Sequence, residues 1–263
     1  MTSESHQQGS VTPGDAHAPG SADAPTAPAT APTGYDAAVD PTSGAWTVWT
    51  VLRRPLRSGD QGGARQHDAA RPLAAAAENV PEGVVLRGVY DVSGMRADGD
   101  IMLWLHGERP EDLQAEVRRL RRTSELAPLT PSWSAMGVHR PAEFSADHAP
   151  SYMRDTTPRQ WLTVYPFVRS YDWYLLPADE RRAMLGEHGR KGRRFTSVQP
   201  NTVAAFALGD YEWLLGLAAD DLMDLVDLMR ELRQTEARRH VREEVPFWTG
   251  RLLPLDEVAE VLL

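Results

Sequence analysis

The sequence predicts an α+β protein made of two ferredoxin-like β-α-β-β-α-β repeats, whose sheets can pack face to face as an α+β barrel. The first observation is the element order, because strand-like and helix-like segments follow the same succession in each half of the 263 residues. The second is a similarity of letters at an offset of roughly 110 residues, which is typical of internal duplication. Gly99-Asp100 precedes Ile-Met-Leu-Trp-Leu and a helical segment, and Gly209-Asp210 precedes Tyr-Glu-Trp-Leu-Leu and another helical segment. Any two strand–helix units share some resemblance, but order and letters together favour duplication.

The first half begins at Trp46, where β-branched and aromatic residues predict a strand. An alanine-rich stretch predicts the first helix. Pro110 and the two acids after it predict the start of the second helix, because proline fits the first helical position and acids favour the positive end of the helix dipole. The predicted order is strand 47–52, helix 69–79, strands 83–92 and 101–106, helix 110–123 and strand 133–139.

The second half repeats this succession. Pro177 and the acids after it predict a helix start, and Gly189 predicts the end of that helix, because glycine is common just after a helix. Apolar residues at helical spacing after Asp220 predict a long amphipathic helix. The predicted order is strand 161–168, helix 177–187, strands 202–208 and 211–218, helix 220–239 and a final strand near 247–249.

Composition divides the chain into three parts and excludes several classes of protein. Residues 1–44 have few large apolar side chains and no Lys or Arg, so we expect a disordered tail, followed by one repeat over 45–150 and another over 151–263. Lys and Arg number 28 against 37 Asp and Glu, and this net charge of −9 argues against nucleic-acid binding. The absence of cysteine excludes disulfides and thiolate chemistry. No apolar run is long enough for a membrane span and no secretory signal is present, so we expect a cytoplasmic protein.

His188 is the most informative candidate for chemistry. It lies at a predicted helix end, and Arg190-Lys191-Gly192-Arg193-Arg194 after it form the densest basic cluster in the chain. This pattern has a structural explanation, because cations stabilise the negative end of a helix dipole. It also has a functional one, because haem proteins need an axial imidazole together with cations for the propionates.

Two further segments carry candidate side chains. The segment Tyr165–Ser170 lies at the end of a predicted strand, and Trp173 and Tyr174 follow it closely. Such an aromatic cluster can form a core, a cofactor wall or a redox relay. His148 follows Asp147 in a loop-like stretch that can be a simple turn. The histidine spacing fits no zinc motif, and the motifs of hydrolases, NTPases and nucleotide-dependent dehydrogenases are missing.

Taken together, these motifs resemble the coproheme decarboxylases, the hydrogen-peroxide-dependent haem synthases of the chlorite dismutase superfamily. The resemblance covers roughly residues 45–255, is densest over 161–250 and is closest to the actinobacterial branch. The matching motifs are Tyr165-Pro-Phe-Val-Arg-Ser, Trp173-Tyr174-x-Leu-Pro, Met184-x-x-x-His188-Gly189-x-x-Gly192-Arg193, Gly209-Asp210-Tyr211-Glu212-Trp213, Leu232-Arg-x-Thr-Glu-Ala-Arg and Pro246-Phe-x-Thr-Gly250.

The resemblance implies a fold, an activity and an assembly. The two repeats would form a dimeric α+β barrel, and the chains would assemble as a homopentamer. The C-terminal repeat would bind iron coproporphyrin III (coproheme), which is both substrate and redox cofactor. Two molecules of hydrogen peroxide would drive the oxidative decarboxylation of propionates 2 and 4 to vinyl groups, with haem b and two molecules of CO2 as products. A coproporphyrin ferrochelatase is implied as a transient partner.

The resemblance also implies roles for individual residues. His188 matches the proximal iron ligand, and Tyr165 matches the tyrosine whose radical abstracts hydrogen from a propionate. His148 matches a distal base that deprotonates peroxide. The remaining matches are cationic positions near the propionates and one tryptophan near the site: Arg169, Arg193, Arg233, Arg238 and Trp213.

Other activities stay open from the sequence. Chlorite-splitting members carry a distal arginine, and Pro200 stands at that position here, which argues against chlorite dismutation. A general haem peroxidase, a non-catalytic haem-binding or delivery protein, and an interaction module without a cofactor are the further alternatives. The delivery alternative needs Tyr165 only for packing, whereas the decarboxylase needs its phenol.

Overall fold

A computed structural model of the protein describes residues 46–55, 71–140, 149–154 and 157–263. The strands in these ranges are β1 (Trp46–Arg53), β2 (Val84–Asp91), β3 (Ile101–Gly107), β4 (Thr130–Val138), β5 (Trp161–Arg169), β6 (Gln199–Ala204), β7 (Trp213–Ala219), β8 (Val241–Glu243) and β9 (Trp248–Leu252). The α-helices are α1 (Leu73–Ala77), α2 (Pro110–Leu120), α3 (Ala178–Gly192), α4 (Leu222–Leu232) and α5 (Val258–Val261).

The strands of the two halves are arranged in the same way. The antiparallel order is β4-β1-β3-β2 in the first half and β9-β5-β7-β6 in the second, so corresponding strands occupy corresponding places. Pairings of β4 with β6 and of β2 with β9 join the halves. Eight strands therefore form a closed circuit of hydrogen-bonded pairs, and the short β8 pairs with the end of β5. The predicted α+β class is confirmed.

The sheet is buried on both faces, as β3 shows. Met102 and Trp104 pack in a cluster shared by strands of both halves, while Leu103 and Leu105 pack against α1 and α2, because side chains alternate along a strand. The shared cluster is rich in aromatic side chains. Full burial of one large apolar side chain contributes about 1.5–3 kcal/mol to folding stability. The shared cluster therefore stabilises the circuit of strands.

The candidate site lies on the outer face of β5 and β7, which is the face that points away from the shared aromatic cluster. Tyr165 on β5 and Leu217 on β7 pack with Leu225 and Leu228 of α4. Helix α3 differs from α4, because none of its residues is buried. Its inner side therefore borders a cleft and not a packed core.

Helix α3 is longer than predicted. It continues through Gly189 to Gly192, and the backbone N–H of Arg193 donates to the carbonyl of Gly189. Glycine ends a helix when it adopts a left-handed conformation, and Gly189 does not have a positive φ. The additional turn extends the helix through the basic cluster.

The long helix predicted over 220–239 is divided. Helix α4 ends at Leu232, and a 3-10 segment follows over Glu236–His240. The Thr235 hydroxyl donates to the carbonyl of Leu232 at 2.9 Å, and such side-chain bonds compete with continued helix. The prediction of one helix was wrong for this local reason.

Several predictions fall on residues outside the described ranges. These are the disordered tail over 1–44, the first residues of the helix predicted over 69–79, and His148. Within the described ranges, no helix combines the length and apolar character that a membrane crossing requires.

Candidate active site

A cleft of about 490 Å³, partly open to solvent, lies between the outer face of β5 and β7 and the helices α3 and α4. Five of the residues singled out in the sequence line it: Tyr165, Arg169, His188, Arg233 and Arg238. Apolar side chains line much of the rest: Phe167, Leu185, Leu215, Met229, Leu232 and Val241.

The imidazole of His188 has a defined tautomer. Its Nδ1 lies 3.3 Å from Oγ1 of Thr235, and that hydroxyl donates its only hydrogen to the carbonyl of Leu232. Oγ1 must therefore accept from Nδ1–H, which leaves the lone pair on Nε2. Burial, reinforced by the charge of Arg169 and opposed by that of Glu187, lowers the pKa of His188. The side chain is thus a neutral imidazole with Nε2 available as a ligand.

Tyr165 is buried in the wall of the cleft, where only 4% of its surface is exposed. Its ring stacks on Phe247, with centroids 4.4 Å apart, and its hydroxyl donates to the sulfur of Met229 at 3.6 Å. Burial raises the phenol pKa, and the charge of Glu244 raises it further, while nearby guanidinium groups oppose these effects. The phenol is therefore protonated at neutral pH.

Arg233 and Arg238 share one internal carboxylate. Arg233 binds Glu244 through both terminal nitrogens, at 3.0 and 2.9 Å, and Arg238 Nη1 donates to Oε2 of the same carboxylate. The carboxylate is more enclosed than its partners, with 13% of the Glu244 side chain exposed against 37% and 40% for the arginines. The three groups together carry one net positive charge in the cleft.

Arg169 is the last residue of β5 and lines the cleft together with Tyr165 and Phe167 of the same strand. Its guanidinium lies 4.2 Å from the ring centroid of Trp173 and 4.9 Å from that of Phe167. Its backbone N–H donates to the carboxylate of Glu212 at 2.9 Å. Stacking on two rings holds a cation at the border of the apolar wall.

Two of the predicted residues lie outside the lining of the cleft. Arg193 is exposed just after α3. Trp213 lies behind Phe167, with the rings stacked at 6.2 Å, and its Nε1 donates to the hydroxyl of Tyr174 at 3.1 Å. His148 lies outside the described residues. The roles assigned to these three residues stay predictions.

Sequence reasoning missed Thr235 and Glu244. Thr235 stands inside the motif Leu232-Arg-x-Thr-Glu-Ala-Arg, so the motif held a signal, but nothing in it identified the histidine as a partner. Glu244 is one of two consecutive acids in a charged stretch, and such residues are usually solvated. Only the fold shows that it faces two arginines.

The donor set limits what kind of metal the cleft can hold. Among the described residues, no group of three or more His, Asp or Glu side chains is placed to bind a metal ion. A metal that uses His188 would therefore need most of its ligands from elsewhere, as an iron in a porphyrin ring has them. Apolar walls with guanidinium groups at the edge suit such a flat, anionic ring.

The chain belongs to a known family of proteins. Residues 66–253 match the chlorite dismutase family, and the chain is a member of it. Within this family, a coproheme decarboxylase of Mycolicibacterium smegmatis is 52% identical over 178 residues, which are 67% of this chain and 77% of that protein.

Solved structures show the same fold. A double mutant of the chlorite dismutase from Candidatus Nitrospira defluvii has a TM-score of 0.68 and 22% identity, and the match covers 83% of this chain and 95% of that one. A mutant of that enzyme in complex with cyanide has a TM-score of 0.69 and 19% identity, covering 84% of this chain and 96% of that one. At these identities the likeness shows the fold alone.

Proposed function

We propose that this chain is a coproheme decarboxylase. It binds iron coproporphyrin III in the cleft and, with hydrogen peroxide, converts propionates 2 and 4 to vinyl groups, giving haem b and CO2. One observation carries the proposal: a neutral imidazole and a protonated phenol, those of His188 and Tyr165, face one cleft that also holds guanidinium groups. The 52% identity to the M. smegmatis enzyme supports the same activity.

The lining of the cleft suits an iron porphyrin. Leu185 and Leu215 offer apolar surface to the macrocycle, and Arg169 and the pair Arg233 and Arg238 offer charge to its carboxylates. One imidazole suffices for an iron that has four ligands from the ring. Once bound, coproheme supplies the redox chemistry with peroxide, and the residues of the protein hold, orient and protect it.

His188 would hold the iron through Nε2. Its Nδ1 hydrogen is committed to Thr235, whose own hydrogen is committed to Leu232, so the ring has one preferred orientation. The lowered pKa keeps the imidazole neutral, which is the form that can coordinate a metal.

Tyr165 would transfer hydrogen. Because burial keeps the phenol protonated, its oxidation must release a proton together with the electron. The hydroxyl contacts the sulfur of Met229, which is a poor base, so the proton has to leave toward the open cleft. The resulting tyrosyl radical would take a hydrogen atom from a propionate β-carbon and return to the phenol. Loss of one further electron from the carbon radical, with peroxide as the ultimate oxidant, would break the bond to the carboxylate, release CO2 and leave the vinyl group.

The other predicted roles complete the proposal. His148 would act as the distal base that deprotonates peroxide. Arg193 would offer positive charge near the propionates from outside the cleft lining. Trp213 would support the wall of the site from behind Phe167. These three assignments rest on the family resemblance.

The proposal extends to the whole chain. Residues 45–150 and 151–263 would be the two repeats of a dimeric α+β barrel, with a disordered tail over 1–44. The chain would work in the cytoplasm as a homopentamer and receive its substrate from a coproporphyrin ferrochelatase. Light scattering on the purified protein would test the pentamer.

The activity is tested by adding coproheme to the purified protein, titrating hydrogen peroxide and following the porphyrin by mass spectrometry. Two successive losses, each of one carboxyl group and one hydrogen, are expected, ending at haem b. A shifted Soret band without any change of mass would refute the decarboxylase and leave binding or delivery.

Three variants test the residue roles. Tyr165→Phe should bind coproheme and release no CO2, whereas the control Tyr171→Phe, at a tyrosine that is 82% exposed, should behave as wild type. His188→Ala should weaken iron coordination. His148→Ala should bind coproheme and react slowly with peroxide at neutral pH. Wild-type product formation by Tyr165→Phe would disprove the radical role, and unchanged peroxide kinetics would disprove the distal base.

A further inference from the structure

Among the described residues, Glu244 is the only Asp or Glu that lines the cleft. It is an unexpected group in a site for a porphyrin with several carboxylates, because like charges repel each other. Its two oxygens are held by Arg233 and Arg238 through three close contacts. Two of the four arginines that the family resemblance assigns to the propionates are therefore already paired with a carboxylate of the protein.

An incoming carboxylate would not displace Glu244. The side chain is only 13% exposed, and removal of the partners of a buried carboxylate is strongly unfavourable. The guanidinium groups have five N–H donors each, and Glu244 engages few of them. A ligand carboxylate can therefore bind the outer donors while Glu244 keeps the inner ones.

We propose that Glu244 limits how tightly the cleft holds anionic groups. It reduces the charge of the arginine pair from two to one. A weaker hold on carboxylates eases the exchange of a porphyrin after reaction. The proposal deepens the proposed function and rests on it for the identity of the ligand.

A second consequence concerns Tyr165. The charge of Glu244 raises the phenol pKa, while Arg233 and Arg238 lower it. Without the carboxylate, two uncompensated cations would stabilise the phenolate. Glu244 thus acts in the same direction as burial and keeps the phenol in its protonated form.

The test compares Glu244→Gln with the wild-type chain and with Glu243→Gln as matched control. Glu243 is the neighbouring acid in sequence, it is exposed, and its substitution removes the same charge outside the cleft. Coproheme binding to each ligand-free protein is measured by Soret titration at several salt concentrations. Glu244→Gln should bind coproheme about tenfold more tightly, equivalent to about 1.4 kcal/mol, with a steeper salt dependence, and Glu243→Gln should match wild type.

A separate measurement does not depend on the porphyrin. Inorganic phosphate is added to the ligand-free proteins and the thermal midpoint is recorded. Phosphate should raise the midpoint of Glu244→Gln more than that of wild type or of Glu243→Gln, because the freed guanidinium groups bind it. If wild type fails to bind coproheme, the proposed function is wrong, and the phosphate result still decides the role of Glu244.

The sign of the effect distinguishes this proposal from a structural role. If Glu244 only holds the two arginines in place, Glu244→Gln will bind coproheme and phosphate less tightly than wild type. Unchanged or weaker binding, or an equal gain in Glu243→Gln, therefore overturns the proposal. Should the Gln variant not fold, Glu244→Asp keeps the charge but withdraws it by one methylene. About threefold tighter binding is then expected, and weaker binding overturns the proposal.

Discussion

The hydrogen bond from His188 to Thr235 gives the sharpest prediction about the site. Thr235→Val keeps the shape of the side chain and removes its hydroxyl. This leaves His188 Nδ1–H without its acceptor and the carbonyl of Leu232 without its side-chain donor. Thr235 is 5% exposed, so water cannot readily replace the hydroxyl.

The expected magnitudes follow from these contacts. One hydrogen bond contributes about 1 kcal/mol to stability, and the 3.3 Å separation lies just beyond the usual range for an N–H···O bond. Thr235→Val should therefore lower the free energy of unfolding by about 1–2 kcal/mol. Loss of an outer partner of a metal-binding histidine costs about 10–100-fold in metal affinity. Coproheme binding should weaken within this range.

The assay is a Soret titration of coproheme into wild type, Thr235→Val and the control Thr235→Ser, which retains a hydroxyl. The same pair of substitutions is then made in a His188→Ala background. If Thr235 acts through the histidine, its substitution should have no further effect there. An equal loss of affinity with and without His188 would refute the reasoning and assign Thr235 to packing alone.

Two further predictions concern stability. Burial, with a smaller contribution from the charge of Arg87, lowers the pKa of His106 to about 3. The imidazole therefore binds protons more weakly in the folded protein than in the unfolded chain. As a result, the free energy of unfolding should fall as pH drops from about 6.5 toward 3. His106→Phe should flatten the slope of unfolding free energy against pH in that window, measured by urea denaturation, and an unchanged slope would contradict the assignment. At the pairing of β4 with β6, a Cβ on Gly137 would lie 2.3 Å from Cγ2 of Val203, so Gly137→Ala should cost about 1–3 kcal/mol. The control Gly209→Ala, with open space around it, should change the thermal midpoint little, and equal effects of both would show that the clash is relieved.

The repeat architecture was accessible from the sequence because strands and helices leave local patterns. β-Branched and aromatic residues identified β1, and the proline and acids at Pro110 identified the start of α2. Helix ends were less accessible. Gly189 stayed helical, without a positive φ and with its carbonyl accepting from the N–H of Arg193, and α4 ended early because the Thr235 hydroxyl bonds to Leu232.

The family motifs marked five residues that line the cleft, but not how they interact. The acceptor of His188 lies 47 residues away in sequence, and Glu244 has no motif at all. Arg193 shares a motif with His188 and Trp213 ends another family motif, yet both lie outside the lining. Position in a motif therefore identified the region of the site, and not the contacts within it.

The sequence by itself determined the α+β repeat order, the location of the site in the second half and the residue types that could serve an iron porphyrin. These depend on local periodicity and on short motifs, which a single chain displays directly. The tertiary structure decided which nitrogen of His188 is available, why the phenol of Tyr165 stays protonated, and that Glu244 shares the cleft with the arginines. Tautomers, pKa values and ion pairs depend on burial and on partners distant in sequence, and only the folded chain brings those partners together.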